Sequence, residues 1–160
     1  MRIVVADTGP INYLIAIGHI DILPILFGTV VLPSAVRREL SHPKAPLAVR
    51  TWSAAIPSWV EVWADIEPAL TDDENSALGD GERAAIALAA KINADLLLMD
   101  DRAGVLAAES RRIKVAGTLG ILVMASRRQL IDLDGAFESL RKTNFHCSRA
   151  IMDNLLRSAR

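Results

Sequence analysis

Five carboxylates of this chain, Asp7, Glu39, Glu82, Asp100 and Asp101, have the types and spacing that metal-assisted phosphate chemistry needs. Asp7 follows the apolar run Ile3-Val4-Val5-Ala6, and Asp100-Asp101 follow Leu96-Leu97-Leu98-Met99. If these runs are strands, both positions fall at strand carboxyl ends, and hard divalent cations take oxygen ligands of this kind. Glu82 shares a helix face with Ala85, Ile86 and Ala89, three, four and seven residues on, so it sits at the rim of an apolar stripe. Glu39 likewise follows Ala35 and Val36 by four and three residues and adjoins Leu40. A carboxylate at such a rim needs a partner to offset its desolvation, and a cation is one. Clustered carboxylates repel one another, so gathering them costs stability unless a cation is bound. With Mg²⁺ or Mn²⁺ among them, they can orient a phosphate, activate water and stabilise charge developing on phosphoryl oxygens. Ordinary structural uses are also open to them. Asp7 and Asp100 or Asp101 can cap the helices that follow, Glu82 suits a first helical turn, and Glu39 can pair with neighbouring arginines. Cys147 is the only cysteine, and His19, His42 and His146 lack ligand spacing, which argues against zinc.

The elements that must position these acids follow from pattern and punctuation. Strands are expected at Arg2–Ala6, Thr29–Leu32 closing at Pro33, Trp59–Trp63, Leu96–Met99 and Ile113–Ala116. The first helix runs through Ile11, Leu14, Ile15 and Ile17, with Thr8 as its cap and Pro10 in its first turn. Further helices are expected at Asp21–Phe27 ended by Gly28, Ala35–Ser41 capped by Ser34, Leu47–Ala55, Gly81–Ile92, Arg102–Arg111, Thr118–Arg128, Leu133–Lys142 and Ser148–Arg157, with an acidic loop beginning at Thr71. Strands alternating with helices give an α/β class, a three-layer α/β/α sandwich around a parallel sheet of four to five strands. In such sheets the active site lies beyond the strand carboxyl ends, near the point where strand order reverses.

Composition bounds the rest. At 160 residues, 51% hydrophobic and 23% charged, the chain is expected to fold as one domain over residues 1–160. Asp7, Asp21, Lys91 and Asp95 interrupt every candidate membrane span, and the apolar stretch before Asp7 is too short for a secretory signal. A single cysteine suits a reducing compartment, so the expectation is a soluble cytoplasmic protein with no membrane partner. Residues 1–101 carry a net −7 and residues 102–160 a net +6, a polarity that places an acidic site beside a phosphate-tolerant surface. Arg102, Arg111, Arg112 and Lys114 are candidates to hold a nucleic-acid strand, against the plainer alternative of a solvated helix face. Three Trp, three Phe and one Tyr give little support for an aromatic stacking platform.

Taken in order, these motifs resemble the PIN-domain family. The resemblance rests on Asp7-Thr8 after a buried first strand, Glu39 on the helix after strand two, Gly81-Glu82 opening an Ala-rich helix, Asp100-Asp101 closing the next strand, and Gly117-Thr118-Leu119-Gly120 after the fifth. Size and layout are similar to the VapC-type toxins of toxin–antitoxin pairs. That resemblance implies a Mg²⁺- or Mn²⁺-dependent endoribonuclease acting on RNA, usually a homodimer, held inactive by a cognate antitoxin protein. Carried over, Asp7, Glu39 and Glu82 hold the metal with a fourth acid from Asp100 or Asp101, and Thr8 supports the site through its hydroxyl. Glu82 stands where many relatives have Asp, and Met99 where many have a small hydroxyl residue. The alternative is a PIN-like nucleic-acid-binding or regulatory module without catalysis. A receiver-domain reading lacks its Lys after strand five, a haloacid-dehalogenase-like one lacks an Asp at Gly9, and a dinucleotide-binding one lacks a glycine-rich first turn.

Overall fold

The computed structural model describes residues 2–159, so Met1 and Arg160, the ends of the domain expected over 1–160, lie outside the described residues. The element order is β1 (Val4–Ala6), α1 (Thr8–Ala16), α2 (Ile22–Phe27), β2 (Val30–Pro33), α3 (Ser34–Leu40), α4 (Leu47–Ala54), β3 (Val60–Trp63), α5 (Asp72–Ala77), α6 (Asp80–Lys91), β4 (Leu96–Leu98), α7 (Arg102–Ser110), β5 (Val115–Ala116), α8 (Thr118–Arg127), α9 (Leu133–Arg141) and α10 (Arg149–Ala159). The strands form one sheet in the order β3-β2-β1-β4-β5. Every pairing is parallel, with Val4 opposite both Val30 and Leu96, Val30 opposite Val60, and Leu97 opposite Val115.

Helices cover both faces, which is why the strands read as continuous apolar runs. Val4, Ala6, Val30, Leu32 and Leu98 point into a core built with α1, α2, α4, α8, α9 and α10, where Ile11, Leu14, Leu122 and Phe137 are buried. The alternate residues Val5, Val31, Leu97 and Met99 point into a second core under α6 and α7. The expected three-layer α/β/α sandwich is therefore the observed fold. No helix among the described residues is long and apolar enough to cross a membrane.

Local departures have physical reasons. The acidic stretch from Thr71 is a short helix, α5, rather than a loop. Thr71 and Glu74 form a reciprocal capping box, and the Arg111 guanidinium grips Glu74 from another element with both contacts at 2.7 Å. Thr8 and Ser34 open their helices one residue later than a cap would. Asp7 and Pro33 hold the cap positions, and the two hydroxyls bond Glu39 and the Trp63 carbonyl instead. The N-terminus of α3 is served from a distance by Asp65, which accepts from the Ala35 amide at 2.9 Å. β5 starts two residues late because Ile113 donates to the Ala108 carbonyl, closing α7 through Arg112 at φ 60°. Gly28 ends α2 as expected, at φ 73°.

Because all five strands run the same way, their carboxyl ends lie along one edge. β2 and β3 build outward from one side of β1, and β4 and β5 from the other, so the reversal falls between β1 and β4. Asp7 leaves β1 and Asp100 follows β4 at that reversal.

Candidate functional site

Asp7 is the centre of the candidate site. Its amide donates to the Leu98 carbonyl at 2.9 Å, which fixes the chain between β1 and β4 as it turns into α1. The side chain is only 5% exposed, and its Oδ1 atom has no hydrogen-bond partner among the described residues. Burial pushes its carboxyl up to about 8, and the charges of Glu82, Glu39 and Asp100 push the same way.

The other acids are arranged around it. Glu39, on the last turn of α3, accepts from the Gly81 amide at 3.0 Å and from the Thr8 hydroxyl, so α1, α3 and α6 meet at one carboxylate. Asp100 accepts the Thr118 amide at 2.7 Å and the Thr118 hydroxyl at 2.6 Å, which ties the end of β4 to the start of α8. Burial raises the Asp100 pKa and these two bonds oppose the rise. Glu82, in the first turn of α6, is half-buried. Burial raises its pKa too, aided by the charges of Asp101 and Glu39. Asp101 is exposed and caps α7, accepting from the Gly104 amide at 2.9 Å. Of the acidic doublet, the charge of Asp100 acts on Asp7 and that of Asp101 on Glu82.

Three glycines let the carboxylates sit against backbone. A Cβ would fall 2.5 Å from Glu39 Oε2 at Gly81, 2.7 Å from Glu82 Oε2 at Gly79 and 2.7 Å from Asp100 Oδ1 at Gly117. Each such atom would push its carboxylate aside. The first turns of α1, α6 and α8 meet here, and the positive ends of helices offset part of the mutual repulsion.

Among the described residues, no three His, Cys, Asp or Glu side chains form a ready metal-ligand set. The hydrogen bonds explain this, since Glu39 and Asp100 each use both oxygens internally. A divalent cation nevertheless suits the donor set. Asp7 Oδ1 is a buried acceptor with nothing to accept from, and all its charged neighbours are carboxylates.

The cations suggested for holding a nucleic-acid strand fall in different surroundings. Arg111 is committed to Glu74 and to the Ala69 and Ala107 carbonyls. Arg112 and Lys114 line an open cavity of about 610 Å³ with Arg2 and Asp95, beside residues that precede the strands and so away from the acids. Arg102 is exposed at the start of α7, one residue from Asp101. Of the tryptophans, only Trp63 is open, at 43% exposure, while Trp52 and Trp59 pack together at 6.0 Å between ring centroids. Thr118, the first residue of the helix expected at Thr118–Arg128, was not among the candidate site residues, although a hydroxyl residue opening a helix after a strand is a signal for binding an anion.

A family model for the PIN domain matches residues 3–160. No curated protein and no solved structure matches the chain. PIN domains have a nuclease-type fold, are generally hydrolases acting on nucleic acids, and typically use divalent metal ions. With the match spanning nearly the whole sequence, the chain belongs to the PIN-domain family.

Proposed function

We propose that this chain, acting as one domain over residues 1–160, is a Mg²⁺- or Mn²⁺-dependent endoribonuclease. We assign it the role of toxin in a type II toxin–antitoxin pair, working in the cytoplasm as a homodimer restrained by a cognate antitoxin protein. The observation that carries the nuclease reading is the unpartnered, buried Asp7 oxygen ringed by Glu39, Glu82 and Asp100. The toxin reading rests on similarity of size and layout, and the exposed apolar side chains of Ile3 and Trp63 favour self-association.

In this reading Asp7, Glu82 and Asp100 hold the cation, Glu39 and Thr8 brace it from α3 and α1, and Asp101 adds charge at the Glu82 side. A bound divalent ion supplies Lewis acidity toward a phosphodiester and lowers the pKa of water. The chain's own part is placement. Thr8 and Gly81 fix the Glu39 carboxylate, Thr118 fixes Asp100, and the buried setting of Asp7 strengthens every charge interaction at the reacting phosphate.

The test is cleavage of a mixed RNA pool by the purified chain in Mg²⁺, Mn²⁺ or chelator, beside Asp7→Asn. We expect metal-dependent cuts that fall at least about 100-fold in the variant. Binding of RNA with no cleavage in either metal would instead establish the non-catalytic module, a reading favoured by the internally bonded Glu39 and Asp100 oxygens. Growth arrest on expression of the chain, relieved in Asp7→Asn, tests the toxin role separately. An active nuclease that leaves growth untouched refutes that role alone.

A further inference from the structure

The sequence offers only seven aromatic residues, yet the fold brings two of them together beside the acidic pocket. Gly9 and Tyr13 are four residues apart on α1 and therefore share one face of that helix. A Cβ at Gly9 would stand 3.4 Å from Asp100 Oδ2, so this face looks onto the Asp100 carboxylate and Tyr13 lies one turn further along it. The Tyr13 phenol responds accordingly, its pKa raised by burial and then by the Asp100 charge.

Tyr13 is met from the other end of the chain. The connector between α9 and α10 crosses over α1, and the Phe145 ring packs edge-to-face on Tyr13 with centroids 4.9 Å apart at 88°. The Tyr13 hydroxyl donates to Asn144 Oδ1 at 3.0 Å, an exposed bond between residues 131 positions apart. Both rings keep part of their surface in solvent, and exposed Asn144 and His146 flank Phe145. The same segment carries Lys142 and Arg149, which make no ion pair among the described residues. An aromatic pair one helical turn from a phosphate-directed acid cluster, edged by an amide and by cations, matches what an unpaired nucleotide presents. The ring stacks, the base edge exchanges hydrogen bonds, and the backbone phosphate seeks positive charge.

We propose that Tyr13, Phe145 and Asn144 form a nucleobase subsite that seats an unpaired base of the RNA next to the scissile phosphate. The inference rests on the ribonuclease reading and adds to it a base-seating subsite and a positioning role for the α9–α10 connector. Tyr13 and Phe145 act on binding and register rather than on the reacting atoms.

The test uses single-stranded oligoribonucleotides with one cleavage site, carrying an abasic nucleotide at each flanking position in turn. Wild type is compared with Phe145→Leu, Phe145→Trp and Tyr13→Phe, each checked for folding by its melting temperature. We expect one abasic position to raise KM about tenfold for wild type. Phe145→Leu should raise KM on the intact strand by a similar factor with kcat changed less than about twofold, and lose the abasic effect. Phe145→Trp should restore it. Tyr13→Phe keeps the ring and removes the bond to Asn144, so it should alter preference among bases more than affinity. If wild type cleaves but folded Phe145→Leu has an unchanged KM and the same abasic penalty, the subsite is refuted and the nuclease stands. If wild type cleaves nothing, the nuclease reading fails. Anisotropy binding of the same strands then decides the subsite, supporting it if Phe145→Leu weakens binding about tenfold and refuting it if binding is unchanged.

Discussion

At the scale of the residue, Asp7 decides most. An ionised carboxylate buried with one oxygen unpartnered is destabilising, and three acidic neighbours oppose the charge on Asp7 further, with only the Thr8 amide acting the other way. Its carboxyl is pushed up to about 8 in the folded chain, against an ordinary value of about 3.9 when unfolded. The folded state therefore keeps a proton that the unfolded state gives up between these values. The sign follows directly. With metal removed, the protonated form supports the fold below about pH 4, and that support fades as pH rises toward about 8. Asp7→Asn retains the shape, offers N–H donors to the surrounding carboxylates and cannot ionise. In chelator at pH 8 the variant should melt above wild type by roughly 3–10 °C, and the gap should close toward pH 4. Scanning calorimetry across that range checks it, and equal melting at pH 8 would show that the Asp7 site does not disfavour charge. A residue that is a liability to the metal-free fold is one that selection for stability alone would have replaced.

At the scale of the element, the glycines separate function from stability. Gly81 lies in the first turn of α6 at an ordinary φ, so Gly81→Ala improves helix propensity by up to about 1 kcal/mol. Its Cβ would lie 2.5 Å from Glu39 Oε2, and the carboxylate, the far end of a flexible side chain, is what must move. We expect a melting temperature within a few degrees of wild type and RNA cleavage lowered at least about tenfold, measured side by side on one preparation. Unaltered cleavage would mean that the position of Glu39 is immaterial. The reason this relation was not legible in the sequence is that it depends on how closely α3 approaches α6, which no periodicity reports. What could be read was whatever local pattern fixes. The apolar runs marked the strands, and strand carboxyl ends then placed Asp7 and the Asp100-Asp101 pair. The caps slipped by one residue because Thr8 and Ser34 spend their hydroxyls on distant partners, Glu39 and Trp63. Helix α5 carries its signal in Thr71-x-x-Glu74, a capping box masked by the acidic composition around it. Arg111 looked like a phosphate holder because its true partner, Glu74, is 37 residues away. Phe145 gave no local sign at all, since only the return of the α9–α10 connector over α1 brings it to Tyr13.

At the scale of the whole molecule, the topology concentrates charge that the sequence spreads over almost a hundred residues. An all-parallel sheet delivers every strand end to one edge, and the order reversal between β1 and β4 leaves a crevice there. The chain fills that crevice with carboxylates from β1, α3, α6 and β4, so the fold holds like charges together through its hydrophobic cores. A ligand that binds the folded state and relieves that repulsion must raise the melting temperature, by an amount that grows with the logarithm of its concentration once the site is filled. Mn²⁺ at 100 times its dissociation constant would add about 2.7 kcal/mol, or roughly 5–10 °C for a chain of this length. Asp7→Asn should lose the greater part of the response, because it removes the one buried side-chain acceptor without a partner among the described residues. Gly81→Ala should keep part of it, since Asp7, Glu82 and Asp100 stay in place when Glu39 swings away. The ordering wild type, then Gly81→Ala, then Asp7→Asn in Mn²⁺-induced shift is read by melting curves alone, with no RNA present. Equal shifts in all three would place the ion elsewhere on the molecule and remove the acid cluster from consideration as its site.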